Sequence, residues 1–212
     1  MAGENIPEGA VVLFDGSSFD GWEKRGGGAV QWTIEGEAMV CSPRTGDIVT
    51  LEKFVDHCLH LEFRCPDMPD KTGQGKGNSG VFLQNRYEIQ VLDSYGWAVP
   101  GTGDCGAIYN QFAPLVNACK PALEWQTYDI VFRAPRLDAD GKVAEQARIT
   151  CLQNGRVIHN NVQVQGPTGG AEDHNLGEPG ALRLQDHGNV VAYRNIWAVH
   201  LPAAGSDIYD PR

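Results

Sequence analysis

Polar and apolar residues alternate along many short stretches of this chain, and glycine, proline, asparagine or aspartate soon closes each one. In "HCLHLEF" and the arginine after it, Leu59, Leu61 and Phe63 alternate with His60, Glu62 and Arg64. In "NRYEIQVLDSYG", residues 85–96, Tyr87, Ile89 and Val91 alternate with Arg86, Glu88 and Gln90. Successive side chains of a strand point to opposite faces, so each stretch predicts a strand with one face in a core. "VVLFDG", "TYDIVFRAP" and "ARITCLQNGRVIHN" read the same way, the last with a hairpin at Asn154–Gly155, and "VQWTIEGEAMVCS" reads as a hairpin turning at Glu35–Gly36. "ALRLQDHGNVVAYRNIWAVHL" predicts two strands turning at Gly188–Asn189. Stretches of helical period do not run much beyond two turns. About a dozen short strands with neither an internal repeat nor a boundary predict one all-β domain over residues 1–212, a two-sheet antiparallel β-sandwich.

Two segments interrupt this pattern. "PDMPDKTGQGKGNSG" has the composition of a mobile surface loop, long enough to form a rim over a neighbouring pocket. The stretch from Gly96 to Ala122 has too many breakers for a regular element and too many aromatic and amide residues for a disordered linker. Long ordered loops of that kind usually carry function.

Composition narrows the partners. Lys and Arg number 17 against 27 Asp and Glu, a formal net charge of −10, without a basic run. Phosphate binding draws most of its affinity from positive charge, so nucleic acid is disfavoured and a small polar or neutral ligand suits the surface better. The apolar runs are too short for a membrane span. "MAGENIPEGA" lacks the basic start and apolar run of a signal peptide, which fits a cytoplasmic chain or a periplasmic or secreted one whose leader has been removed. The six cysteines, Cys41, Cys58, Cys65, Cys105, Cys119 and Cys151, are irregularly spaced with no CxxC pair, so they read as small buried residues rather than a zinc site.

The polar faces carry the candidate chemistry. Arg86, Glu88 and Gln90 share one strand face, and Arg183, Gln185 and His187 share another, opposite Leu182 and Leu184. Each set alone reads equally well as solvated sheet surface. Together they describe a concave polar surface, and neighbouring strands would bring Glu88 and His187 close enough for acid–base work or for ligating a divalent metal. "GNSGVFLQ" puts Asn78, Gly80, Phe82 and Gln84 on one face, and amides that donate and accept suit sugar hydroxyls. Asp93 sits just past its strand, and Tyr109, Asn117, Lys120 and Trp125 are candidates to wall a pocket. "DADGK" resembles the start of a calcium loop but lacks the distal glutamate, so a hairpin turn accounts for it. GxSxG, P-loop and dinucleotide fingerprints are missing.

"LFDG" with "DGW", "GNSGVFLQNRYEIQVLDSYG", "GAIYNQFAPLVNACKPALEWQTYDIVFRAPR" and "LRLQDHGNVVAYRNIW" together resemble the bacterial 3-keto-disaccharide hydrolase family, over roughly residues 10 to 201. The resemblance implies the jelly-roll sandwich of concanavalin A-like lectins and glucanases. It also implies cleavage of glycosides already oxidised to a ketone at sugar carbon 3, by elimination or net hydrolysis, with a divalent metal in some relatives. Such chemistry needs a base for the proton on carbon 2, a stabiliser for the enolate oxygen and an acid for the leaving group. On this chain the resemblance points to His187 or Glu88 as base or metal ligands, Arg86 and Arg183 as anion stabilisers, and Asn78, Gln90 and Gln185 as hydroxyl contacts. A carbohydrate-binding module without catalysis and a conventional two-carboxylate glycosidase are the competing readings.

Overall fold

The computed structural model describes residues 6–203 and contains fifteen strands and one short 3-10 turn among them. Thirteen of the strands form two antiparallel sheets face to face, the sandwich that the alternation predicts and the jelly roll that the resemblance implies. The larger sheet runs β13 (Arg156–Gln163), β12 (Arg148–Gln153), β9 (Gln126–Arg133), β6 (His57–Arg64), β15 (Ala192–His200), β4 (Ala38–Val40), β3 (Thr33–Glu35), and β1 (Val11–Phe14) also pairs with β15. The smaller runs β2 (Trp22–Lys24), β5 (Ile48–Phe54), β14 (Gly180–Leu184), β7 (Ser79–Leu83), β8 (Tyr87–Val91). A separate ribbon pairs β10 (Arg136–Leu137) with β11 (Val143–Glu145) across the "DADGK" turn, where Asp138 Oδ1 accepts from the backbone of Asp140 and Lys142.

One apolar core fills the space between the sheets. It takes Leu59, Leu61 and Phe63 from β6, Tyr87, Ile89 and Val91 from β8, and Leu182 and Leu184 from β14, the apolar halves of the alternating runs. The opposite halves therefore face outward on each sheet. The hairpin at Asn154–Gly155 is present, both residues at positive φ as a two-residue turn of this hand requires. All six cysteines are free thiols, buried or half-buried.

The final hairpin is corrected. β14 ends at Leu184 in the smaller sheet and β15 begins at Ala192 in the larger, so residues 185–191 cross between sheets instead of turning at Gly188–Asn189. Side chains hold this crossover: Asp47 Oδ1 accepts from the Asp186 backbone and Asn189 Oδ1 accepts from the Asn78 backbone. The turn of the first hairpin also moves by one residue, to Gly36–Glu37, since Glu35 pairs with Ala38.

Candidate active site

The order β14-β7-β8 sets the site. β14 and β8 do not touch; β7 lies between them, with Arg183 opposite Phe82 and Phe82 opposite Glu88. One position along, Gln185 donates its backbone N–H to Gly80 O, and Gly80 pairs with Gln90. Two rows of side chains thus cross the outer face, Arg183–Phe82–Glu88 and Gln185–Gly80–Gln90. Gly80 leaves the gap the second row needs, because a Cβ there would run into Glu88 Oε1 and stand 3.0 Å from its carboxyl carbon.

A cavity of about 290 Å³ opens on this gap, lined by Gln74, Asn78, Glu88, Gln90, Tyr109, Gly169, Gly170, Gln185 and His187. Three loops cover it. The 3-10 turn Gly73–Gly75 brings Gln74, whose Nε2 donates to Gly103 O at 2.6 Å and whose backbone O accepts from Asn78 Nδ2 at 2.7 Å. The long loop pairs along the free edge of β8, with Gly106 N donating to Gln90 O and Tyr109 N donating to Glu88 O. A strap over residues 166–179 fastens to the same edge through Thr168, whose hydroxyl accepts from Glu88 N at 2.9 Å.

Covering the face desolvates it. Glu88 is 3 % exposed, and burial pushes its carboxyl up to about 8; the Arg183 cation pulls the other way and loses to burial. At neutral pH that carboxyl is mostly protonated, so it is an acid with a proton to give. With its amide nitrogen turned toward the carboxyl, Gln90 donates to Glu88 Oε1 at 3.2 Å and to Ser79 O at 3.1 Å. Gln185 Oε1 is buried with no partner among the described residues. His187 is exposed at the mouth.

The other residues picked out in the sequence lie elsewhere. Arg183 is 1 % exposed and is not among the cavity-lining side chains; its guanidinium lies over the Phe82 ring, 3.5 Å from the centroid, and Nη2 donates to Gly170 O at 2.7 Å. Arg86 precedes β8 and lines a second cavity on the same face, its Nε donating to Asp173 at 2.6 Å. Asp93 pairs with Lys76 at 3.0 Å. Asn117 donates to the carbonyls of Ser94 and Trp97, bracing the long loop, and Lys120 donates to Trp125 O. Trp125 lies against Ala38, Val40 and Ala192 on the larger sheet, its ring in contact with the guanidinium groups of Arg64 and Arg194. Sequence reasoning missed Gln74, Gly169 and Gly170. The rim suggested for the loop before "GNSG" was the one signal for Gln74.

Glu88 and His187 supply two side chains of the kind a divalent metal draws on, and among the described residues no cluster of three or more His, Cys, Asp and Glu side chains gathers to hold one.

A jelly-roll sandwich with a loop-covered cavity of amides, a carboxyl and an imidazole defines a class, the carbohydrate-active sandwich proteins, and comparison with known proteins places the chain in it. The chain belongs to the family described as the 3-keto-alpha-glucoside-1,2-lyase-like domain, matched over residues 9–199. A crystal structure from Parabacteroides distasonis described as "a putative glycosyl hydrolase" is 36 % identical, with a TM-score of 0.84 over 92 % of this chain and 85 % of that one. A second from the same organism, described in the same words, is 22 % identical, with a TM-score of 0.67 over 92 % of this chain and 95 % of that one, and shares the fold. No curated protein matches the chain. No helix among the described residues is long and apolar enough to cross a membrane.

Proposed function

We propose that the chain cleaves glycosides carrying a ketone at carbon 3, by removing the proton on carbon 2 and expelling the glycosidic oxygen from carbon 1. The observation that carries this reading is the pairing, in one amide-lined cavity, of a single buried carboxyl, its pKa raised by that burial, with a solvent-facing imidazole. An oxocarbenium route draws on two carboxyl groups flanking the bond, and Glu88 is the one carboxyl among the cavity-lining side chains. An enolate route needs one base and one acid, which this cavity offers.

His187 takes the carbon 2 proton, and the electrons of that C–H bond move into the enolate formed with the carbon 3 carbonyl. Asn78, Gln90 and Gln185 contact the keto and hydroxyl oxygens, and the side-chain amide of Gln185 donates to the enolate oxygen as its charge grows. Glu88 gives its proton to the departing glycosidic oxygen as the C1–O bond breaks and the enolate collapses to an enone. The product is the free alcohol plus an unsaturated keto sugar. Water adding across that double bond would turn the elimination into net hydrolysis.

A sugar-binding module without catalysis is the reading to exclude. Incubating the protein with a 3-keto disaccharide and with its unoxidised parent, and following both by NMR, separates the two. The reading expects cleavage of the keto sugar alone; equal cleavage of the parent, or binding without turnover of either, overturns it.

A further inference from the structure

The strap and Arg183 divide the outer face of the smaller sheet. Gly169 and Gly170 wall the Glu88 cavity, while Glu172 and Asp173, two and three residues further on, wall a second cavity of about 280 Å³ that reaches over β2 and β5. The strap is therefore a partition, and the sheet beneath holds it down. Arg183 donates Nη2 to Gly170 O, its Nε stands 3.5 Å from Asp47 Oδ2, and its Nη1 stands 3.9 Å from Glu172 Oε2. Arg25 pairs with the same Glu172 carboxylate from β2's end. Phe82 supplies the seat, and the positive φ of Gly170 (+79°) lets its carbonyl turn down onto the guanidinium. Arg183 Nε and Nη1 are buried without a hydrogen-bond partner among the described residues, and face the Asp47 and Glu172 carboxylates as ion pairs at longer range, so the one hydrogen bond this side chain makes is the one to the strap.

We propose that Arg183 is a specificity-determining, positioning residue: by latching the strap it makes the Glu88 cavity a blind pocket that admits one terminal keto-sugar unit and shuts out a unit substituted on both sides. This rests on the proposed keto-glycoside reading. The partition stands between the Glu88 cavity and the neighbouring one lined by Arg25, Arg86 and Glu172, so a substituent continuing along the sheet past the strap would have to enter that second cavity. Thr168 N donates to Arg86 O and Glu172 N to Asn85 O, so the strap stays anchored on either side; without the latch only the 169–171 stretch between those anchors is released, and its lifting is what would connect the two cavities.

The test compares a 3-keto disaccharide whose keto unit is terminal with a 3-keto trisaccharide whose keto unit is internal, for wild type, Arg183→Met and Glu172→Gln. Wild type should favour the terminal unit by roughly 100-fold in kcat/KM, and each variant should narrow that ratio about tenfold, chiefly through a lower KM for the internal unit. Backbone amide exchange at 169–171 should quicken in both variants without any sugar present. Glu172→Gln removes an exposed partner and keeps Arg183, so it carries the test if Arg183→Met fails to fold. An unchanged ratio with faster exchange overturns the specificity role, and unchanged exchange overturns the latch. If wild type turns over neither keto sugar, the function reading falls instead; the unoxidised di- and trisaccharide, compared by titration calorimetry, then decide the latch, which predicts that only the variants gain affinity for the trisaccharide.

Discussion

The two sheets present outer faces written in the same alternating code, and they end in opposite physical states. On the larger sheet, His60 pairs with Asp129 at 2.6 Å, Glu62 with Arg194 at 2.8 Å, and Trp125 carries two arginines. Asp129 is 46 % exposed and Arg194 31 %, so water shares in satisfying this face. On the smaller sheet, β7, β8 and β14 are buried at every position on both sides, because three loops roof their outer face. A carboxyl in water and a carboxyl under that roof are different reagents. Burial, not the residue type, turns Glu88 into an acid at neutral pH.

The largest expected effect lies under the roof. Glu88→Gln should lower turnover of a 3-keto disaccharide by roughly a thousandfold while the thermal unfolding midpoint holds or rises, as steady-state kinetics and a melting curve would show. Full activity would mean that this face is no more a site than the other. Next comes Gly80→Ala, which drives a methyl into the carboxyl. It should cost about 1–3 kcal/mol of stability and about a hundredfold in kcat/KM, measured by denaturant titration and kinetics.

A smaller effect reads the desolvation itself. The fold raises the Glu88 carboxyl from its ordinary 4.5 to about 8, so the folded chain holds that proton more tightly than the unfolded chain does. The stabilisation from the neutral carboxyl is complete below about pH 4.5 and is lost as pH climbs through 8. Glu88→Gln should match wild type near pH 4 and melt about 5 °C higher at pH 9, a difference that scanning calorimetry would resolve. Equal melting at both pH values would mean that water reaches the carboxyl. Smallest is the control on the open face: Glu62→Gln gives up its pairing with Arg194, at 2.8 Å, and should cost about 1 kcal/mol or less with kcat/KM unchanged.

The alternation carried most of the fold. Tyr87, Ile89 and Val91 face the core as their spacing says, and Glu88 and Gln90 face away. Period two tells which residues share a face, but it says nothing about which face a distant loop will cover. Gly169 and Gly170 reach the cavity from a segment far away in sequence that no local pattern marks, and Gln74 is signalled only by the loop composition that suggests a rim. Strand order is non-local in the same way: the sequence leaves open whether β8 and β14 are neighbours, β7 lies between them, and Arg183 rests on the Phe82 ring instead of entering the cavity. Asn117 and Trp125 show the converse. Amide and indole are equally useful for bracing a loop and for packing a sheet, and there the structure uses them so.

The division of labour between the two faces, and within the covered one between His187 and Glu88, meets its most direct test in one NMR experiment. A 3-keto disaccharide in D2O is followed at its carbon 2 proton and at the released sugar, with wild type, His187→Ala and Glu88→Gln. Wild type should cleave; His187→Ala should lose both cleavage and carbon 2 exchange; Glu88→Gln should keep the exchange and lose cleavage. A Glu88→Gln protein that binds the sugar yet exchanges nothing would make Glu88 the base and contradict the assignment drawn from its burial.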